Sequence, residues 1–307
     1  MAVAAETSTE KRGLPGGFSY RPGKSWLALP TVLFLLAVLI FPLVLIGLYS
    51  VNLMTNLVGV PTDFSLFNWK DFLPPGSNPF WDRFVTSIVI TVVVSVLAVL
   101  AAYPIAYYLA FVARRRRYVL LLLVLAPFFT SYLLRVIAWK VMLANNGVIN
   151  ATLWELGLRE HGDGIQWLIF SWFAVALVLF YSWVPFVALP IYVVLENMDT
   201  RLLEAAQDLG GGRLHVFRRV TLPLSLPGVI AAFVFVLIPT TGEFIAPLLV
   251  GGSENTLFGN SIQSFFSDTP NWNYGAVLAV WLIAVVFVLL LLFGRFLNTD
   301  LREARAR

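Results

Sequence analysis

The chain has 307 residues, of which 59% are hydrophobic and 12% charged, with a mean hydropathy of +0.82. A soluble domain carries roughly 25% charged residues, so this sequence cannot hide its apolar surface in one core and must use a bilayer as solvent. The lack of cysteine excludes disulfides and thiolate chemistry, two histidines (His161 and His215) leave little for a metal or catalytic centre, and the net charge of +4 reads as loop bias rather than as a nucleic-acid surface.

Residues 1–24 are polar and contain Gly and Pro, and are expected to form a disordered tail. Six apolar runs follow: 26–49, 84–113, 118 to about 144, 165–195, about 222 to 250 and about 274 to 294. Each reaches the ~20 residues a helix needs to cross the hydrocarbon. The first is too long for a signal peptide, and no small-residue cleavage site follows it, so an uncleaved helix is expected.

Basic residues fix the expected orientation. Lys11, Arg12, Arg21 and Lys24 precede the first run, and residues 114–117 are four arginines between the second and third. Arg201, Arg213, Arg218 and Arg219 lie between the fourth and fifth, and Arg295, Arg302, Arg305 and Arg307 follow the sixth. These alternate segments hold 16 of the 21 Lys and Arg residues. The opposite loops hold Lys70, Arg83 and Arg159 beside a larger set of acids that includes Asp71, Asp82, Glu155, Glu254 and Asp268. The positive-inside rule then predicts both termini on the cytoplasmic side. The run at 114–117 reads as a topology anchor in preference to a lipid or nucleic-acid patch.

The segment between the fourth and fifth runs has its own pattern. Asp199 or Thr200 can cap a short helix whose Leu202, Ala205, Ala206 and Leu209 form an apolar stripe. Gly210, Gly211 and Gly212 break it, and Leu214, Val216 and Phe217 offer a second apolar face before Pro223 opens the fifth span. An amphipathic helix and turn on the cytoplasmic side calls for a protein partner.

Glu204-Ala205-Ala206, then Gly210, then Val220-Thr221-Leu222-Pro223 resembles the EAA loop of ABC importer permeases, with Val220 where that family usually has Ile. The resemblance implies a coupling helix that docks in a groove of a separate ATPase. Glu204 then makes polar contact, Ala205 and Ala206 allow close approach, Gly210 makes the turn, and Leu222 and Pro223 lead into the next helix. A plainer reading remains, in which Glu204 complements a helix N-terminus and the alanines are ordinary helix formers. The chain carries no ATPase of its own: Gly23-Lys24-Ser25 echoes a phosphate-binding loop, but the glycine that loop needs five positions earlier is Phe18.

Two further stretches narrow the resemblance. Ala126-Pro-Phe-Phe-Thr-Ser-Tyr-Leu-Leu-Arg-Val-Ile-Ala-Trp139 and Ile238-Pro-Thr-Thr-Gly-Glu-Phe-Ile-Ala-Pro247 resemble the third and fifth spans of spermidine/putrescine permeases. Glu243 is the lone acid inside a run, where an ionised group costs roughly 2.5–3.5 kcal/mol and needs a partner or a wet cavity. Pro239 and Gly242 are expected to break the helix beside it. Counted at ~1.5 Å per residue, Arg135 and Glu243 reach a similar depth, ~25–32 Å from the cytoplasmic ends of their runs. That permits an ion pair between helices or a solute site at Glu243, with Tyr132 and Trp139 on the Arg135 face as cation–π partners.

The expected protein is therefore all-α, with six spans in a permease domain at 25–297, a coupling loop at 199–221 and a cytoplasmic tail at 298–307. The resemblance implies a second homologous permease, a dimer of ATPase subunits holding ATP and Mg2+, and an extracytoplasmic substrate-binding protein. No cofactor is expected on this chain, no nucleic-acid partner, and membrane lipid surrounds it. The solute is expected to be spermidine, putrescine or a relative. The same machinery carrying a sugar, phosphate or metal chelate stays open, as does a self-contained channel or secondary transporter.

Overall fold

The computed structural model describes residues 29–54, 63–74, 78–113, 115–158, 160, 164–268 and 271–306, with side chains up to 295. The expected N-terminal tail lies outside the described residues. The chain divides into two compact units, 1–45 and 46–307. The first contributes most of α1 (Leu29–Ser50), an apolar helix with Pro42 inside it. The packing described below is that of the second unit.

Among the described residues the second unit is helical, built around three long helices, α3 (Pro79–Tyr107), α7 (Trp172–Glu196) and α10 (Leu222–Thr241), which pack on one another. Local signals start them. The Asn78 side chain accepts from the Phe80 N–H at 2.9 Å with Pro79 in the first turn, and Ser171 accepts from the Ala174 N–H at 3.1 Å. Small residues explain how closely they pack. The buried face of α3 is Ser87, Thr91, Ser95, Ala98, Ala102 and Ala106 with Val94, which brings backbones together where lipid offers no hydrophobic drive. Gly228 of α10 meets α7 so closely that a Cβ there would stand 2.7 Å from Val194. Tyr103 and Ser225 share a hydrogen bond of 2.9 Å between α3 and α10.

Five described helices are long and apolar enough to cross a membrane, and a bent pair makes a sixth if counted as one span. The bent pair corrects the continuous helix expected at 118–144. α4 (Arg117–Leu125) runs into a 3-10 turn at Ala126–Phe129, and α5 (Tyr132–Leu143) with α6 (Val148–Glu155) leaves at 84°. Pro127 and the extended backbones of Thr130 and Ser131 end the first piece, and Thr130 Oγ1 donates to the Pro127 carbonyl at 2.6 Å.

The fifth span differs too. It does not begin at Pro223: helix is continuous from α9 (Arg213–Val216) through a π-helical turn at Phe217–Thr221 into α10. Proline at 223 removes a backbone donor, and the π turn before it absorbs the misfit. At the other end Pro239 stays inside α10, and the break falls at Gly242 and Glu243. Beyond it a short helix at 245–251 includes a π turn at Pro247–Gly251. α11 (Phe258–Ser267) and α12 (Trp272–Ala306) complete the unit. They close with α2 (Phe67–Phe72) over an aromatic cluster in which Phe72, Trp81, Phe84, Phe258 and Trp281 pack ring against ring, mostly edge to face.

Candidate functional site

Between α7 and α9 the chain forms α8 (Thr200–Asp208), capped by Asp199, whose carboxylate accepts from the Arg201 N–H at 2.9 Å. No residue of α8 is buried. Leu202 is 50% exposed and Leu209, just past its end, 90%. A helix that packs so little of itself is ordered by its cap and turn, and its apolar stripe is left for something else. The turn is made by Gly210 at φ +83°, a left-handed conformation that suits glycine, and by Gly211, where a Cβ would stand 2.5 Å from the Ala206 carbonyl oxygen.

Beside the middle turns of α7 and the C-terminal end of α10 lies a cavity of about 470 Å³. The bend at 126–131 and α5 supply Phe128, Thr130, Tyr132 and Arg135; α7 supplies Ser182, Trp183 and Phe186; the break after α10 supplies Gly242 and Glu243. Glu243 and Arg135 thus share one space without forming an ion pair with each other. Glu243 Oε1 accepts instead from the N–H groups of Phe244 at 3.1 Å, Ile245 at 2.8 Å and Ala246 at 3.3 Å. It caps the short helix at 245–251. Arg135, 9% exposed, holds its guanidinium over Phe128 at 5.5 Å and Tyr132 at 5.7 Å, with Nε and Nη1 lacking acceptors.

α11 fastens the break from behind. Asn260 Nδ2 donates to the Phe244 carbonyl at 2.8 Å while its Oδ1 accepts from the Leu257 N–H at 3.0 Å. A Cβ at Gly259 would stand 2.6 Å from the carbonyl oxygens of both Gly242 and Glu243. Those are backbone atoms that cannot swing aside, so Gly259→Ala is expected to cost about 1–3 kcal/mol, read as a lowered Tm of the purified protein.

Residues 76–303 match the family described as the binding-protein-dependent transport system inner membrane component. The chain belongs to that family. Among its relatives, the permease is 33% identical over 232 residues to the spermidine/putrescine transport system permease protein PotB of Escherichia coli (strain K12), covering 76% of this chain and 82% of that one. It is 35% identical over 219 residues to PotB of Haemophilus influenzae, covering 71% and 76%. Its fold matches a chain of a bacterial alginate ABC transporter, solved in complex with an alginate pentasaccharide-bound periplasmic protein, with a TM-score of 0.64 at 17% identity over 88% of this chain and 92% of that one. The permease is accordingly a multi-pass inner-membrane transport component and not an enzyme.

The structure brings Arg135, Tyr132 and Glu243 of the permease to one cavity. Trp139 does not line it: its ring packs edge-on against Tyr181 at 5.3 Å within a buried cluster. Trp183, Phe186 and Phe128 were invisible as site residues, because an aromatic within an apolar run carries no mark of what it faces. Glu204 and Ala205 are exposed and Ala206 is partly covered, while Leu222 and Pro223 are exposed at the start of α10. Arg117, read from sequence as an anchor, joins Glu196 at 2.6 Å and lies over the Tyr118 ring at 4.7 Å. That pair ties α4 to the last residue of α7, just before α8.

Proposed function

We propose that this permease is one of two membrane subunits of an ATP-driven importer for small aliphatic amines of the spermidine and putrescine class. A homologous second permease completes the pathway, paired ATPases carrying ATP and Mg2+ grip the α8 segment from the cytoplasm, and an extracytoplasmic binding protein delivers solute from the other side. The biased placement of arginines supports this orientation, with both termini inside.

One observation carries the reading. α8 hangs between the two helices that wall the cavity: α7 lines it with its middle turns and α9–α10 with its far end. From Glu196 to Ser182 and from Thr221 to Gly242 the helices extend roughly 21 and 32 Å at 1.5 Å per residue. A displacement of α8 is therefore passed to both walls of the cavity along continuous helix, which is what alternating access requires. The Glu243 carboxylate and the rings of Trp183 and Phe186 supply the negative charge and π faces that suit an ammonium group.

The test is uptake of radiolabelled spermidine and putrescine into vesicles holding the assembled importer and its binding protein. ATP-dependent accumulation of either is the expected result; accumulation without ATP, or by this chain alone, would sink the assignment. Arg135 inside the cavity favours a second reading, the same machinery carrying a solute that is not purely cationic.

A further inference from the structure

The charged groups that line the cavity are one arginine and one glutamate, and they are not spent on each other. Glu243 is held by three backbone donors through Oε1, which leaves Oε2 outside the cap. Arg135 is more than nine-tenths buried and has two nitrogens, Nε and Nη1, with no acceptor. An unsatisfied buried donor is costly, and one on a charged group more so, so a second state in which an acceptor reaches it is favoured. The rings of Phe128 and Tyr132, which a cationic solute would use on that wall, are already occupied by the guanidinium. A dication placed here would meet one attractive group and one repulsive one. A solute with an ammonium at one end and an acceptor at the other would satisfy both.

We propose that the cavity selects ω-amino carboxylates, short aliphatic amines whose far end is a carboxylate, with the ammonium at Glu243 and the carboxylate at Arg135. Arg135 is then the residue that sets specificity: its guanidinium charge attracts the carboxylate and disfavours a second ammonium by like charge. The inference rests on the reading that this cavity belongs to the solute pathway of an importer for small aliphatic amines, and within that class it ranks an amine bearing a carboxylate at its far end above the diamine of equal carbon number.

The test is equilibrium binding of radiolabelled 4-aminobutanoate and putrescine to the assembled importer in nanodiscs, without the binding protein, whose own selectivity would otherwise mask that of the cavity. The two probes have the same number of carbons and differ by a carboxylate in place of one aminomethyl end. Wild type is expected to bind 4-aminobutanoate at least about tenfold more tightly, the worth of one charge-assisted contact. Arg135→Gln should erase that preference and Glu243→Gln should weaken both probes. Tighter putrescine binding by wild type, lost in Glu243→Gln, overturns the inference and leaves the pathway reading in place. A preference for 4-aminobutanoate that survives Arg135→Gln also overturns it. No binding of either probe to wild type, or binding of both that is indifferent to Glu243→Gln, removes the inference and the pathway reading together. The wild-type ratio decides the first point even if a variant fails to assemble.

Discussion

Leu209→Asp is expected to abolish ATP-driven uptake and to strip the ATPase from the purified permease, while the permease itself folds and inserts normally. The expectation follows from how little of α8 the protein uses for itself. Leu209 is 90% exposed and no residue of α8 is buried, so removing that side chain takes almost nothing from the fold; surface changes of this kind stay within about 0.5 kcal/mol. A partner that desolvates the stripe has much more at stake. Placing a carboxylate where an interface is dry leaves an unpaired charge, at a cost of several kcal/mol, or about a thousandfold in affinity for ~4 kcal/mol. Glu204→Lys tests the same surface by charge instead of by apolar area. Measured together, co-purification of the ATPase and the Tm of the isolated permease separate the two effects. Retention of the ATPase by Leu209→Asp would show that α8 is not what it grips.

At Glu243 a pair of substitutions distinguishes capping from solute binding. Glu243→Gln keeps an oxygen that can accept from Phe244, Ile245 and Ala246, so the cap survives and the charge is lost. Glu243→Ala loses both. The alanine variant is expected to lower stability by about 1 kcal/mol, the ordinary worth of an N-cap, and the glutamine variant by much less. If the carboxylate binds an ammonium in the pathway, both variants lose uptake to a similar degree, at least about tenfold, because removing one partner of a desolvated charge pair costs ~2–5 kcal/mol. If Glu243 only caps its helix, glutamine transports like wild type and alanine is impaired in proportion to its lost stability. Uptake set against Tm for the two variants decides between them.

How far the sequence reaches can be seen element by element. The apolar runs were legible because hydropathy summed over ~20 residues depends on composition and not on packing, and the α8 cap, narrowed to Asp199 or Thr200, and the turn at Gly210 were legible because their chemistry is local. The 84° bend at 126–131 was not: lipid-facing and bundle-facing segments on both sides are equally apolar, so no change of pattern marks it, and Pro127 alone does not tell a kink from a break. Pro239 was legible as a mark of the break near Glu243. Together with Gly242 it was expected to break the helix beside Glu243; the helix does end there, with Pro239 within the last turn of α10 and Gly242 just past it. The cavity was half legible. Arg135 and Glu243 stand out as charges in apolar runs, but their lack of an ion pair depends on Glu243 turning to its own backbone, a choice made by local geometry. The Arg117–Glu196 pair joins residues far apart in the chain, and no spacing rule foretells it.

The fit of Gly259 against the carbonyls of Gly242 and Glu243, with Asn260 holding Phe244, has a practical consequence for redesign. The stretch from 239 to 260 behaves as a single moulded piece. A chimera that borrows another relative's glutamate region while keeping this chain's α11 would set mismatched surfaces face to face. Exchanges of selectivity should therefore transplant the whole stretch at once, with joints placed inside α10 and α11, where helix meets helix in register.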